Sequence, residues 1–237
     1  MQRLICLSLF AFTLLSLAPP LYAEKTLVFS TFPSSGLGQI FTTVLTEAYQ
    51  PLAIPIELSE QPADRALKMA DAGIVDGEAG RLSVVENITR NLIRVPVPIF
   101  HMRAFAYSKS GQLPINGYDS LAPYRIAVLR GYKQALKMTQ GMQREIVDDY
   151  QQLRGLLENG RVDVVILTEV DALNTFGELL GTTIHPIQPP INQGEMYHYL
   201  HQSHQALLPR ITASLQKMEQ SGRIREIAQA YYRSFQR

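Results

Sequence analysis

The 237-residue sequence predicts an α/β fold of two lobes, each a mostly parallel sheet flanked by helices, with two hinge strands between them. Three observations carry this. Strand and helix signals alternate as βαβαβ, and the same order returns later in the chain. The motif Gly73-Ile-Val75-Asp76 reappears as Gly160-Arg-Val162-Asp163, 87 residues further on and at the same place in each half. Two extended runs fall where a chain passing between lobes needs them.

The elements follow in order. Thr26–Thr31 is a short apolar, β-branched run and reads as a buried strand. After the Ser34-Ser35-Gly36 turn, Leu37, Ile40, Phe41, Val44, Leu45 and Ala48 share one helical face, and Pro51 ends that helix. Ile54–Leu58 is the second strand, with Pro55 placing it near an edge. Pro62 suits a first helical position, the stripe Ala63, Ala66, Leu67, Ala70 follows, and Gly73 closes it before a third strand opening at Ile74. In the second half, Arg125–Leu129 is a strand, Gly131–Met142 a helix and Glu145–Val147 a short strand. Asp148-Asp149 caps a helix carrying Leu153, Leu156 and Leu157, and Val162–Leu167 is the third strand. Ile99–Ser108 and Met196–Leu200 are the hinge runs. The tail carries two helical stripes, Leu207 to Met218 and Ile224 to Tyr231, separated by Gly222. Residues 24–103 and 203–237 are expected in the first lobe and 104–202 in the second.

Residues 1–23 read as an export leader. Arg3 supplies the charge, Leu4–Leu17 is uncharged, Pro19-Pro20 breaks the run, and Ala23 ends it with a small residue. About 14 apolar residues fall short of the ~20 that span a membrane. Cleavage after Ala23 leaves 214 residues without cysteine, because Cys6 is the chain's one cysteine, and with equal numbers of acidic and basic side chains. The expected mature protein is soluble, periplasmic and monomeric. The full chain is 46% hydrophobic and carries a net charge of +1, which argues against disorder and gives no electrostatic reason to bind nucleic acid. A disulfide framework and a multi-cysteine zinc site are excluded, and no metal or cofactor is expected. Gly36-Leu-Gly38 has two of the three glycines of a dinucleotide fingerprint, but Phe41 stands at the third.

The order of motifs resembles the bacterial periplasmic solute-binding proteins of family 3, the amino-acid-binding type. The residues that carry this are Pro62-Ala-Asp-Arg65-Ala-Leu67 running to Gly73-Ile-Val-Asp76-Gly77, Arg125-Ile-Ala-Val-Leu-Arg-Gly131-Tyr132, Asn159-Gly160-Arg-Val-Asp163, and Leu208-Pro209 through Ser221-Gly222 to Ile227. The resemblance spans nearly the whole mature chain. It implies capture of a small solute between lobes, hinge closure, and delivery to an ABC permease or, in some members, signalling to a membrane sensor. It implies no catalysis. Thr168 stands where that family often has an aspartate for the ligand's ammonium, and residues 76–82 are unlike its usual stretch around the binding arginine.

Sheet ligands sit beyond the carboxyl ends of parallel strands, and that rule selects the candidates. Arg81 follows the first lobe's third strand and can clamp a carboxylate with parallel hydrogen bonds. Glu78 either meets a ligand cation or orients Arg81; an acid beside an arginine favours orientation. Thr31 and Phe32 end the first strand, and Ser35 either caps the next helix or helps bind an anion. Arg130, Gly131 and Tyr132 hold the corresponding edge of the second lobe, Thr168 and Glu169 end its third strand, and Tyr107 lies on a hinge run. His198, His201 and His204 are spaced H-x-x-H-x-x-H, but an extended reading separates them. Two further readings keep the fold: a sensor module without a permease, and a periplasmic hydrolase or lyase using Glu78 or Glu169.

Overall fold

The computed structural model describes residues 25–31 and 35–235. The proposed leader and the candidate Phe32 lie outside the described residues. Among the described residues eight strands form one continuous sheet, and seven helices pack on its faces. The first half runs β1 (Leu27–Thr31), α1 (Ser35–Tyr49), β2 (Ile56–Glu60), α2 (Ala63–Asp71) and β3 (Gly77–Leu82). The long β4 (Leu92–Ser108) leads to the second half: β5 (Ile126–Leu129), α3 (Lys133–Met138), β6 (Arg144–Val147), α4 (Tyr150–Glu158), β7 (Val164–Thr168) and α5 (Glu169–Phe176). The long β8 (His185–His201) returns, and α6 (Leu208–Gln220) and α7 (Arg223–Arg233) finish the chain.

The strand order is β2-β1-β3-β8-β4-β7-β5-β6. In each half the first strand sits between the second and third with parallel pairing on both sides. The third strand of each half then pairs antiparallel with a long strand, β3 with β8 and β7 with β4. The hinge runs are therefore 17-residue strands, paired with each other from Leu92↔His201 to Ser108↔His185. Their register shifts around Pro98, a residue with no N–H for the ladder.

The repeated motif is one device used twice. Gly73 and Gly160 are left-handed, at φ +68° and +66°, just past the ends of α2 and α4. In each case an N–H from the following residue reaches back to the last turn, Ile74 to Met69 and Arg161 to Leu156. The aspartate three residues after the glycine then seizes the start of the neighbouring first strand. Asp76 Oδ2 accepts the Val28 N–H at 2.8 Å, and Asp163 Oδ2 accepts the Arg125 N–H at 2.9 Å. This turn corrects the boundary expected for the third strand. Ile74 is 69% exposed, and the ladder begins only at Gly77 because Asp76 is occupied at the turn. The helix expected over residues 131–142 is also shorter, since Tyr132 is non-helical and Gly141 is left-handed.

Strand periodicity separates the cores of the second half. Phe105, Tyr107, Val165 and Leu167 face one side with Leu153 and Phe176, while Ala106, Val164 and Ile166 face the other with Leu121. The first half has one large core around Phe29, Phe41, Tyr49 and Ile99, which Ile211, Leu215 and Ile227 of the tail helices complete. Among the described residues no helix is long and apolar enough to cross a membrane.

Candidate functional site

A cavity of about 270 Å³ opens between the halves, at the carboxyl ends of β3, β5 and β7. Four of the sequence candidates line it: Arg81 from the first half, and Gly131, Tyr132 and Thr168 from the second. Much of the remaining wall is apolar, with Leu37 and Leu67 on one side, Ile166 on the other, and Met102 and Met196 of the hinge strands between them.

Arg81 is fixed from behind. Its Nε donates to Glu78 Oε1 at 2.6 Å, and its Nη2 donates to the Ala63 carbonyl at 2.9 Å. Glu78 is fully buried and lies off the cavity wall, so its contact is with Arg81. The Ser30 hydroxyl donates to Glu78 Oε2 at 2.6 Å. Burial pushes the Glu78 carboxyl above its ordinary range, and Arg81 and Ser30 pull the other way. The backbone here is held by His198. Its Nδ1 lies 2.9 Å from the Glu78 carbonyl, which can only accept, so Nδ1 carries the proton. Nε2 therefore accepts from the Tyr49 hydroxyl at 2.8 Å. Burial lowers the imidazole pKa to about 4, which keeps the ring neutral, as this arrangement requires. His201 and His204 take other partners, Ser203 and Asp76. Close packing admits no side chain at Gly80, where an added Cβ would meet the Phe41 ring at 2.6 Å.

The opposite wall is built by the start of α5. Thr168 caps the helix, accepting from the Asp171 N–H at 3.1 Å, and its hydroxyl lies 2.6 Å from Asp171 Oδ2. Tyr132 donates to the same carboxylate oxygen. Burial and then the Asp171 charge push the Tyr132 phenol well above its ordinary value, so it remains a donor. Asp171 lines the cavity and was not among the sequence candidates. The signal for it was Thr168-Glu-Val-Asp171, the Thr-x-x-Asp pattern that opens a helix.

The other candidates lie elsewhere. Thr31 is buried at the end of β1, off the cavity wall, and among the described residues its hydroxyl has no hydrogen-bond partner. Ser35 is the first residue of α1. Arg130 is exposed and paired with Asp148 at 2.5 Å. Glu169 points through the sheet to its other face, where it pairs with Arg103 at 2.7 Å and accepts from Tyr232 at 3.3 Å. Tyr107 shares that face. Both line a second cavity of about 530 Å³ that lies behind the first, because Arg103, Phe105 and Tyr107 alternate with Met102 and Ala104 along β4.

The halves touch around the first cavity. Asp64 of α2 and Lys133 of α3 form an ion pair at its mouth. Gly36 of α1 meets α5 so closely that a Cβ would come within 2.1 Å of Val170. Tyr231 of α7 donates to Asn174 Oδ1 at 3.0 Å.

The chain has the fold of the two-lobed periplasmic binding proteins. It superposes on the GluR0 ligand-binding core in complex with L-glutamate at a TM-score of 0.72 with 13% identity, covering 88% of this chain and 99% of that one. A histidine kinase sensor domain with similarity to periplasmic binding proteins gives 0.72 with 14% identity, covering 88% and 96%. The amino acid ABC transporter substrate-binding protein AbpA from Streptococcus pneumoniae, bound to L-arginine, gives 0.70 with 14% identity, covering 89% and 95%. No protein-family model matches the chain. A Shewanella oneidensis protein described as uncharacterized is 27% identical over 208 residues, which cover 81% of this chain and 76% of that protein.

Proposed function

We propose that this protein is a periplasmic solute-binding protein that captures a small carboxylate-bearing, amino-acid-like solute between its lobes by hinge closure. Lobe one comprises residues 24–103 and 203–237, and lobe two residues 104–202, after loss of residues 1–23 as an export leader. The observation that carries the reading is Arg81, set on the cavity wall by a fully buried glutamate and faced across the cleft by Thr168, Tyr132 and Asp171. A guanidinium held in this way is organised for a carboxylate before the solute arrives. Asp171, in place of the strand-end residue Thr168, offers an acceptor for an ammonium or hydroxyl. Closure follows if the solute touches both walls, since only contacts made in the closed form shift the equilibrium.

The loaded protein has two destinations, an ABC permease or a membrane sensor, and the structural neighbours include proteins of both kinds. Uptake that depends on the gene, as against a signalling output that depends on it, separates them. The solute is held and released unchanged, and a turned-over product would count against this reading. The primary test is a thermal-shift and calorimetry screen of the mature protein against amino acids and organic acids. A solute at 100 times its Kd adds about 2.7 kcal/mol of stability. Arg81→Ala abolishes that gain, and a full gain in the variant overturns the arginine anchor.

A further inference from the structure

The composition of the cavity wall goes beyond the presence of a carboxylate anchor. Leu67, Met102, Tyr118 and Met196 line it together with Val84 and Ile88. The last two are 60% and 72% exposed, on the turn that follows β3 at the cavity's edge. Large aliphatic side chains left in water beside a binding cavity lose that exposure when an apolar solute covers them.

The charges on the wall point the same way. Arg81 is matched by Glu78, Lys133 is matched by Asp64, and Asp171 receives the hydroxyls of Tyr132 and Thr168. Of the two cations among the described lining residues, Lys133 is 64% exposed at the mouth and Arg81 only 14%, so Arg81 is the one that a carboxylate inside the cavity would reach. Beyond Arg81, a second carboxylate on the solute would meet apolar wall, Asp171, the neutral amides of Gln134 and Asn192, or a Lys133 already matched by Asp64. A cationic side chain would compete with any ammonium for that same Asp171. A charge taken from water into such surroundings without a partner costs several kcal/mol. At about 270 Å³ the cavity lies at the small end of ligand pockets, which suits a small solute.

We propose that the solute is a monocarboxylate with an apolar body, of the size of an amino acid with a branched aliphatic or aromatic side chain, and that Val84 and Ile88 close over that body. This rests on the reading of Arg81 as the carboxylate anchor.

The test is calorimetry on the mature protein with two panels. One contains L-leucine, L-phenylalanine and 4-methylpentanoate, and the other L-glutamate, L-arginine and succinate. The expected result is a member of the first panel binding at least tenfold more tightly than any of the second. Ile88→Asp, at a position exposed enough to leave folding intact, weakens that binding at least tenfold with the unliganded Tm unchanged. If a member of the second panel binds as tightly or more tightly, and loses binding in Arg81→Ala, the apolar body is overturned while the anchor stands. Apolar-panel binding that survives Arg81→Ala supports the apolar body and removes the anchor. Silence from both panels overturns both.

Discussion

The two walls of the cleft grow from the same structural device and end in different chemistry. Each half closes its second helix with a left-handed glycine and pins its first strand with an aspartate, Asp76 in one and Asp163 in the other. Beyond that point the first wall buries a charge pair, Glu78 with Arg81, whereas the second gathers hydroxyls on one carboxylate, Asp171. The first wall is thus rigid and expensive to disturb. Removing one partner of a buried pair leaves the other charge unmatched at a cost of about 3–5 kcal/mol. Glu78→Ala should destabilise the protein by that amount in urea denaturation and abolish solute binding. Glu78→Gln, which retains the shape and one acceptor, should lose less. An equal loss on Asp171→Asn would erase the contrast between the walls, because there hydroxyl donors lose a charged acceptor, at about 1–3 kcal/mol.

A second effect also belongs to the first wall alone. His198 is buried and neutral, with its pKa lowered to about 4 from an ordinary value of 6.5. Between those values the unfolded chain binds the proton and the folded one does not. Stability is therefore complete above pH 6.5 and falls as pH drops toward 4, by about 3 kcal/mol from this residue. Urea melts at pH 7 and pH 4.5 should show the fall, and His198→Gln should remove most of it while losing some stability at pH 7. A wild-type protein equally stable at both pH values would mean that the imidazole is not buried as described.

Much of this fold was legible because its signals are local. The apolar stripes, the two glycine-aspartate motifs and the extended hinge runs are patterns within ten or fifteen residues. The lining of the candidate cavity was legible where a rule about strand ends applied, as for Arg81, Gly131, Tyr132 and Thr168. It was not legible where the answer depended on direction or on a distant partner. Glu169 and Tyr107 face the back of the sheet because of strand parity and the turn into α5. Arg130 is drawn outward by Asp148, a pairing that exists only once β5 and β6 lie side by side. Asp171 lies one helical turn beyond the strand end, where the Thr168 cap directs it back to the cleft. Tyr49 and His198 are 149 residues apart, and no spacing in the sequence connects them.

A third, smaller effect tests the contact between the halves at Gly36, where Gly36→Ala would press a Cβ against Val170. Overpacking of this kind costs about 1–3 kcal/mol. Because the contact joins α1 to α5, the loss should appear as weaker solute binding as well as a lower Tm. A variant with a lowered Tm and unchanged affinity would show that this contact is indifferent to closure.

The smallest effect is expected at the mouth. Asp64 and Lys133 are paired across the cleft, yet both side chains are more than half exposed. An exposed pair contributes at most about 1 kcal/mol and is screened by salt. Under the proposed lobe division the two residues come from opposite lobes, so in the proposed mechanism the contribution counts toward closure. Removing it with Lys133→Ala should leave the unliganded Tm unchanged and weaken solute affinity by no more than about fivefold, the factor that corresponds to 1 kcal/mol. Raising the salt to 0.5 M should weaken the wild type by a similar factor and leave the variant unaffected. If the variant responds to salt as the wild type does, the salt effect arises from Arg81 and the solute's carboxylate, and the pair at the mouth contributes nothing to holding the lobes closed.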